Sequence, residues 1–174
     1  MTAAETAATF AAVKVYLVRH AHAVSDGPQL PDEQRYLSAG GREVARSVGN
    51  KLRAAGVRLH ALLTSPLVRA VQTAELLAQG LGFAHEVETL YALAPGFAPR
   101  LVAERVDSLV EALGPTAAVA LVGHEPGITA LGAHLIGGRA FPQFRPGQVT
   151  LVEERRAIWT FTPDALTFVR LDEE

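Results

Sequence analysis

The stretch KVYLVRHAHAVSD, residues 14–26, runs a short apolar segment straight into an arginine and two histidines. With Val13 the apolar part is VKVYLV, six residues rich in Val, Tyr and Leu, the pattern of a short buried strand. Three readings of its polar end are open. His20 and His22 are two apart, so on an extended chain they share one face, and with Asp26 they could begin a metal cradle. Arg19 with His20 could instead hold an anion. The third reading is structural, since a single histidine after a strand usually does no chemistry.

Outward from this segment the pattern alternates. A polar loop with Gly and Pro covers about residues 21–37, and Ser38 stands as N-cap before GGREVARSVGNKLRAAG. Val44, Val48, Leu52 and Ala55 fall at helical spacing, and Gly56 sits where a C-cap belongs. ALLTS, residues 61–65, is a second strand. PLVRAVQTAELLAQGLG is a helix with Pro66 in its first turn and Gly80 or Gly82 at its end. HEVETL is a third strand. Residues 99–113 form an amphipathic helix, with Leu101, Val102, Val106, Leu109, Val110 and Leu113 on one face. AAVALVG, residues 117–123, is apolar throughout and therefore a central strand. PGITALGAHLIGG is a last helix. VTLVEE, AIWTF and ALTFVR close the chain as three strands, the last two joined through Thr162, Pro163 and Asp164. Strands alternating with helices specify an α/β domain with a largely parallel sheet, made mixed by the closing strands.

Composition narrows the function. The 174 residues suit one domain over residues 13–174, with MTAAETAATFAA, residues 1–12, as a flexible tail. Glu5 and the lack of a basic start argue against a signal peptide there. Sixteen basic and 18 acidic side chains give a net charge of -2, so neither nucleic acid nor a membrane surface is an expected partner. The absence of cysteine removes disulfides, thiolate metal sites and cysteine nucleophiles, and fits a cytoplasmic location. No apolar run reaches the roughly 18 to 20 residues that span a bilayer.

In sheets of this class, ligands bind at the C-terminal ends of the strands. Three such ends are chemically loaded. The first strand ends in Arg19-His20. The second ends in Thr64-Ser65, with Arg69 in the helical turn after it. The fourth ends in Gly123-His124, followed by Glu125-Pro126-Gly127 and a helix. Arg69 opposes the helix dipole at its position, which is unfavourable unless an anion is near. Two arginines offer planar donor forks for phosphate oxygens, and helix N-termini offer free amides. A histidine among such charges has a lowered pKa and stays neutral, hence nucleophilic. A second histidine can stabilise charge on the transferring group. Arg19 would repel a metal cation, which weighs against the His-x-His reading.

Taken together, LVRHA (residues 17–21), TSPLVRAVQTAELL (64–77) and LVGHEPGI (121–128) resemble the histidine phosphatase superfamily, the phosphoglycerate-mutase-like fold. RYLSAGG (35–41) and FRPGQVTLVEE (144–154) are similar to its SixA-type phosphohistidine phosphatase branch. The resemblance covers about residues 13–168. It implies a three-layer α/β/α sandwich around a mostly parallel mixed sheet. It implies His20 as the nucleophile that accepts the phosphoryl group, Arg19 and Arg69 as holders of its oxygens, and His124 as the group that completes the pocket. Arg35 is a further phosphate contact in this branch. Ser65 is expected to cap or turn the chain, and His22 to lie at the rim. No metal and no cofactor are implied.

Two departures matter. The R-H-G of the family is Arg19-His20-Ala21 here, and a position needing φ > 0 would strain alanine. The acid that many relatives carry after the third strand falls at Tyr91 or Ala92, unless a shifted strand brings up Glu88. An alkoxide leaving group needs a proton, and general acid catalysis is worth on the order of 100- to 10,000-fold. A phosphoramidate is less demanding, because a protonated phosphohistidine releases a neutral imidazole. The expected activity is therefore a metal-independent phosphatase working through a phosphohistidine intermediate on a phosphohistidine-bearing protein, with inorganic phosphate as product. The alternatives are a phosphatase of a small phosphorylated metabolite, such as a sugar or nucleotide phosphate, and a non-catalytic module that only binds phosphorylated partners.

Overall fold

The computed structural model describes residues 13–171, so the expected tail over residues 1–12 lies outside the described residues. Seven strands form one sheet: β1 Lys14–Arg19, β2 Ala61–Thr64, β3 Glu88–Thr89, β4 Ala118–Gly123, β5 Val149–Glu153, β6 Arg156–Thr162 and β7 Thr167–Arg170. Four helices accompany them: α1 Ala39–Ala54, α2 Val68–Leu81, α3 Pro99–Leu113 and α4 Gly127–Leu135. Short 3-10 turns lie at Asp32–Gln34 and Tyr91–Leu93. The strand order is β3-β2-β4-β1-β5-β6-β7. The sheet is mixed: parallel from β3 through β2 and β4 to β1, antiparallel from there through β5 and β6 to β7.

The period-2 alternation of β1 explains the layers. Val15 and Leu17 face a core shared with Val102, Val106 and Val110 of α3 and with Ile128 and Leu131 of α4. Tyr16 and Val18 face the opposite core, with Val48 and Leu52 of α1 and Ala70, Ala74 and Leu77 of α2. β4 lies between β1 and β2 and is buried along its whole length, which is why its sequence shows no polar alternation. The parallel half thus carries helices on both faces. Because β1, β2 and β4 run the same way, their loaded C-terminal ends emerge on one edge.

Local chemistry sets the boundaries. The Ser38 hydroxyl accepts a hydrogen bond from the Gly41 amide at 3.0 Å and caps α1. At the other end Gly56 adopts φ +82°, its amide bonds the Arg53 carbonyl, and the Val57 amide reaches back to Leu52. That is a Schellman closure. In α2 it is Gly82, at φ +70°, that ends the helix. Gly80 does something else: a Cβ there would lie 2.5 Å from the Arg46 carbonyl oxygen and 2.9 Å from the Gly49 Cα. A Cβ on Gly49 would likewise strike the Leu77 carbonyl. The pair lets the two helix backbones touch, which accounts for two glycines in helix interiors that otherwise disfavour them.

Two expectations are adjusted. The third strand is two residues long rather than HEVETL, because it is an exposed edge that pairs only with β2. The last hairpin turns over residues 163–166, with Leu166 at φ +52°, so β7 starts at Thr167, two residues beyond the expected start at Ala165. No helix among the described residues is long and apolar enough to cross a membrane.

Candidate active site

Arg19, His20, Arg69 and His124 come together at the edge formed by the ends of β1, β2 and β4. The rings of His20 and His124 lie 5.0 Å apart, tilted by 54°. Arg69, in the first turn of α2, and His124, just after β4, are both 4% exposed.

The tautomer of His20 follows from its partner. Its Nδ1 lies 2.7 Å from the Ala21 carbonyl oxygen, which can only accept, so Nδ1 carries the hydrogen. In the neutral ring the lone pair then sits on Nε2. Burial holds the His20 pKa at about 4, helped by the positive charges of Arg69, Arg19 and Arg35 and opposed by the Ala21 hydrogen bond. His124 is lowered to about 3, again chiefly by burial, with His20, Arg69 and Arg19 adding to it and Asp32 opposing. At neutral pH both rings are uncharged.

This has a consequence for stability. The unfolded chain takes up protons near the ordinary histidine value of 6.5, whereas the folded rings do so only near 4 and 3. Between those values the unfolded state binds more protons, so stability falls as pH falls through that window. His20 alone contributes on the order of 2 kcal/mol to the loss between pH 6.5 and 4.5. The urea midpoint is expected to drop over that interval, and to drop measurably less in His20→Asn. Parallel pH profiles for the two proteins would contradict the assignment.

Unpartnered buried nitrogens gather here. Nε of Arg19 and Nε of Arg69 are donors without an acceptor, and Nδ1 of His124 is also buried and unpartnered, a donor in the tautomer whose Nε2 accepts from the Ser65 hydroxyl. The rest of each side chain is anchored. Arg19 donates from Nη1 to the Phe144 carbonyl at 2.6 Å. His124 Nε2 lies 2.7 Å from the Ser65 hydroxyl. Arg69 donates from Nη1 to the Asp32 carbonyl at 2.6 Å and from Nη2 to the Asp32 carboxylate at 3.0 Å. Arg35 is brought to the same place: its Nε donates to the Val24 carbonyl at 2.7 Å and its Nη1 to Asp32 at 2.9 Å. The anion that Arg69 needs against its helix dipole is Asp32 in this structure.

Several contributors were not singled out in the sequence. Asp32 is one. Ser65 does shape the turn, accepting from the Leu67 amide at 3.3 Å, but it also orients His124. Thr73 accepts from the Ala21 amide at 3.1 Å and donates to the Arg69 carbonyl at 2.7 Å, tying β1 to α2 directly behind the site. Glu125 accepts from the Thr129 hydroxyl at 2.7 Å and the Phe144 amide at 2.6 Å, which fixes the loop whose carbonyl holds Arg19. Gly147 in that loop, at φ +77°, donates to the carbonyls of Arg19 and His20.

The two departures resolve differently. Ala21 is fully buried and is not among the described non-glycine residues with positive φ, which are Glu154, Arg155 and Leu166, so it is unstrained. On the side of the third strand, Glu88 is held in a bidentate pair by Arg105 at 2.8 Å and 2.9 Å. Tyr91 is 71% exposed. Ala92, Leu93 and Phe97 instead line an apolar hollow against His124. His22 is exposed, and its Nδ1 pairs with the Ser38 hydroxyl at 2.9 Å rather than sharing a ligand with His20. Among the described residues no three His, Asp or Glu side chains gather as a metal cradle.

The family model of the histidine phosphatase superfamily (branch 1) matches residues 15–94, the segment that carries Arg19, His20, Arg35 and Arg69. Phosphohistidine phosphatase SixA of Escherichia coli is 29% identical over 140 residues, 80% of this chain and 84% of that protein. An uncharacterized protein of Picosynechococcus is 33% identical over 116 residues, 66% of this chain and 67% of that one. The chain belongs to the histidine phosphatase superfamily. The structure of the protein histidine phosphatase SixA complexed with tungstate superposes with a TM-score of 0.80 at 27% identity, over 88% of this chain and 99% of that one. The fold is therefore the phosphoglycerate-mutase-like α/β fold that the sequence motifs implied, and the protein is a phosphatase of this superfamily.

Proposed function

We propose that this phosphatase removes the phosphoryl group from phosphohistidine on a protein, through a covalent intermediate on His20 and without a metal, in the cytoplasm. The observation that carries the substrate choice is the apolar wall of Ala92, Leu93 and Phe97 beside His124, with Glu88 turned away to Arg105. Among the described residues, no carboxylic acid lines that wall to protonate an alkoxide.

The chemistry balances without one. Nε2 of His20 attacks phosphorus, and the P–N bond of the substrate breaks. The bond pair returns to the substrate ring, which already carries a proton on its other nitrogen and leaves as neutral imidazole. In this reading the oxygens are held, as charge shifts onto them, by Nε of Arg19, Nε of Arg69 and, with Nε2 accepting from Ser65, Nδ1 of His124, all three buried and unpartnered. Water then attacks phosphorus, the P–Nε2 bond breaks, and both protons of the water leave with dihydrogen phosphate. His20 is restored with its hydrogen on Nδ1.

The test is a comparison of kcat/KM on a phosphohistidine protein and on an alkyl phosphate, with and without chelator. A preference of at least about a hundredfold for phosphohistidine, unchanged by chelation, is expected. A preference for the alkyl ester would turn the assignment to a small-metabolite phosphatase.

A further inference from the structure

Among the described residues, Asp32 is the one carboxylate bonded to the site's arginines, and its hydrogen bonds divide into two kinds. The backbone carbonyl of Asp32 already holds Arg69 Nη1 at 2.6 Å, and the Val24 carbonyl already holds Arg35 Nε at 2.7 Å. Each arginine thus has a backbone anchor of its own. The carboxylate adds a second bond to each, at 3.0 Å to Arg69 and 2.9 Å to Arg35. Both arginines therefore keep a backbone anchor that does not involve it. What the carboxylate alone supplies is a negative charge.

That charge sits at the mouth. The Asp32 side chain is 50% exposed, whereas the Arg69 side chain it bonds is 5% exposed. Bonds to Arg35 and Arg69 keep its pKa below the usual carboxylate value, so it stays ionised. Its field reaches the site, because it opposes the lowering of the His124 pKa. Arg19, Arg35 and Arg69 contribute three positive charges and Asp32 removes one, leaving two. Two positive charges match one phosphoryl dianion. A second anionic group on the same small donor is left uncompensated and meets the carboxylate, whereas a cationic leaving group is attracted by it.

We infer that Asp32 is a specificity-determining residue: its carboxylate at the mouth selects phosphoryl donors with a cationic or neutral leaving group over donors carrying a second anion near the phosphoryl group. This rests on the phosphatase site proposed above and extends it, since the protonated imidazole of phosphohistidine is such a leaving group. Asp32 donates no proton and forms no bond to phosphorus in this role.

The test measures kcat/KM of the wild-type protein, Asp32→Asn and Asp32→Glu on three donors. These are a phosphohistidine peptide, 4-nitrophenyl phosphate as the reference, and phosphoglycolate, whose carboxylate lies one carbon from the ester. Relative to the reference, Asp32→Asn is expected to lose about threefold to tenfold on the peptide and to gain a similar factor on phosphoglycolate. Asp32→Glu keeps the charge and is expected to keep the wild-type order. An equal change on all three donors, or an Asp32→Glu protein that behaves like Asp32→Asn, would overturn the inference and leave Asp32 as a brace for the arginines. If the wild-type protein handles phosphohistidine no better than the reference ester, the proposed substrate falls. The opposite ranking of the two esters by Asp32→Asn would still support charge selection at residue 32.

Discussion

Replacing His20 with alanine is expected to lower kcat/KM by at least about a thousandfold and to abolish the phosphoenzyme. The reason is specific to one atom. The Ala21 carbonyl fixes hydrogen on Nδ1, and burial keeps the ring neutral, so the His20 ring offers one lone pair, on Nε2. His124 cannot substitute for it without repositioning, because its Nε2 is held by Ser65 and its ring centre is 5.0 Å away. The measurement is a rapid quench with phosphorus-32-labelled phosphohistidine peptide. Wild-type protein should carry an acid-labile, alkali-stable label that maps to His20, and His20→Ala should carry none. His20→Asn, close in size to the ring's first atoms, guards against a packing artefact and should be equally inactive. Turnover above a few per cent in both variants, or label on another residue, would remove His20 as nucleophile.

How much of this was legible beforehand depends on the range of the interaction. Strands β1 and β4 were plain because burial on both faces leaves nothing but apolar residues between polar ends. The convergence of Arg19, His20, Arg69 and His124 was legible because strand ends in a parallel sheet share one edge, so it follows from topology. Asp32 was missed because its partner, Arg69, is 37 positions away and an acid opening a short 3-10 turn beside Glu33 looks like any loop acid. The Phe144 carbonyl that holds Arg19 leaves no trace at all, since every residue has one. Glu125 had a signal, its place next to His124, but its work is done on a loop 19 positions on. Gly49 and Gly80 also had a signal: a glycine inside a helix weakens it and calls for a close approach elsewhere. The third strand was overestimated because an exposed edge strand has a neighbour on one side alone, and β3 meets only the last two residues of β2, a register its own sequence does not encode.

Arg69→Lys is expected to cost about a hundredfold to a thousandfold in kcat/KM, although the charge is kept. The guanidinium of Arg69 performs two tasks at once. Nη1 and Nη2 grip the carbonyl and carboxylate of Asp32, and Nε remains buried and free for a phosphoryl oxygen. A planar fork does both because its donors point in fixed, different directions. A lysine ammonium is a single point at the end of a flexible stem. If it stays with Asp32 it abandons the phosphoryl group, and if it turns inward it leaves the Asp32 carboxylate with Arg35 alone. Inorganic phosphate should therefore inhibit the variant more weakly by a comparable factor, read as a raised inhibition constant. Arg69→Ala separates geometry from folding: it removes the guanidinium that bonds Asp32, and added guanidinium ion should restore part of its activity while added ammonium should not. A lysine variant within about threefold of wild type, or equal rescue by both ions, would show that Arg69 acts as a plain positive charge and that the fork is incidental.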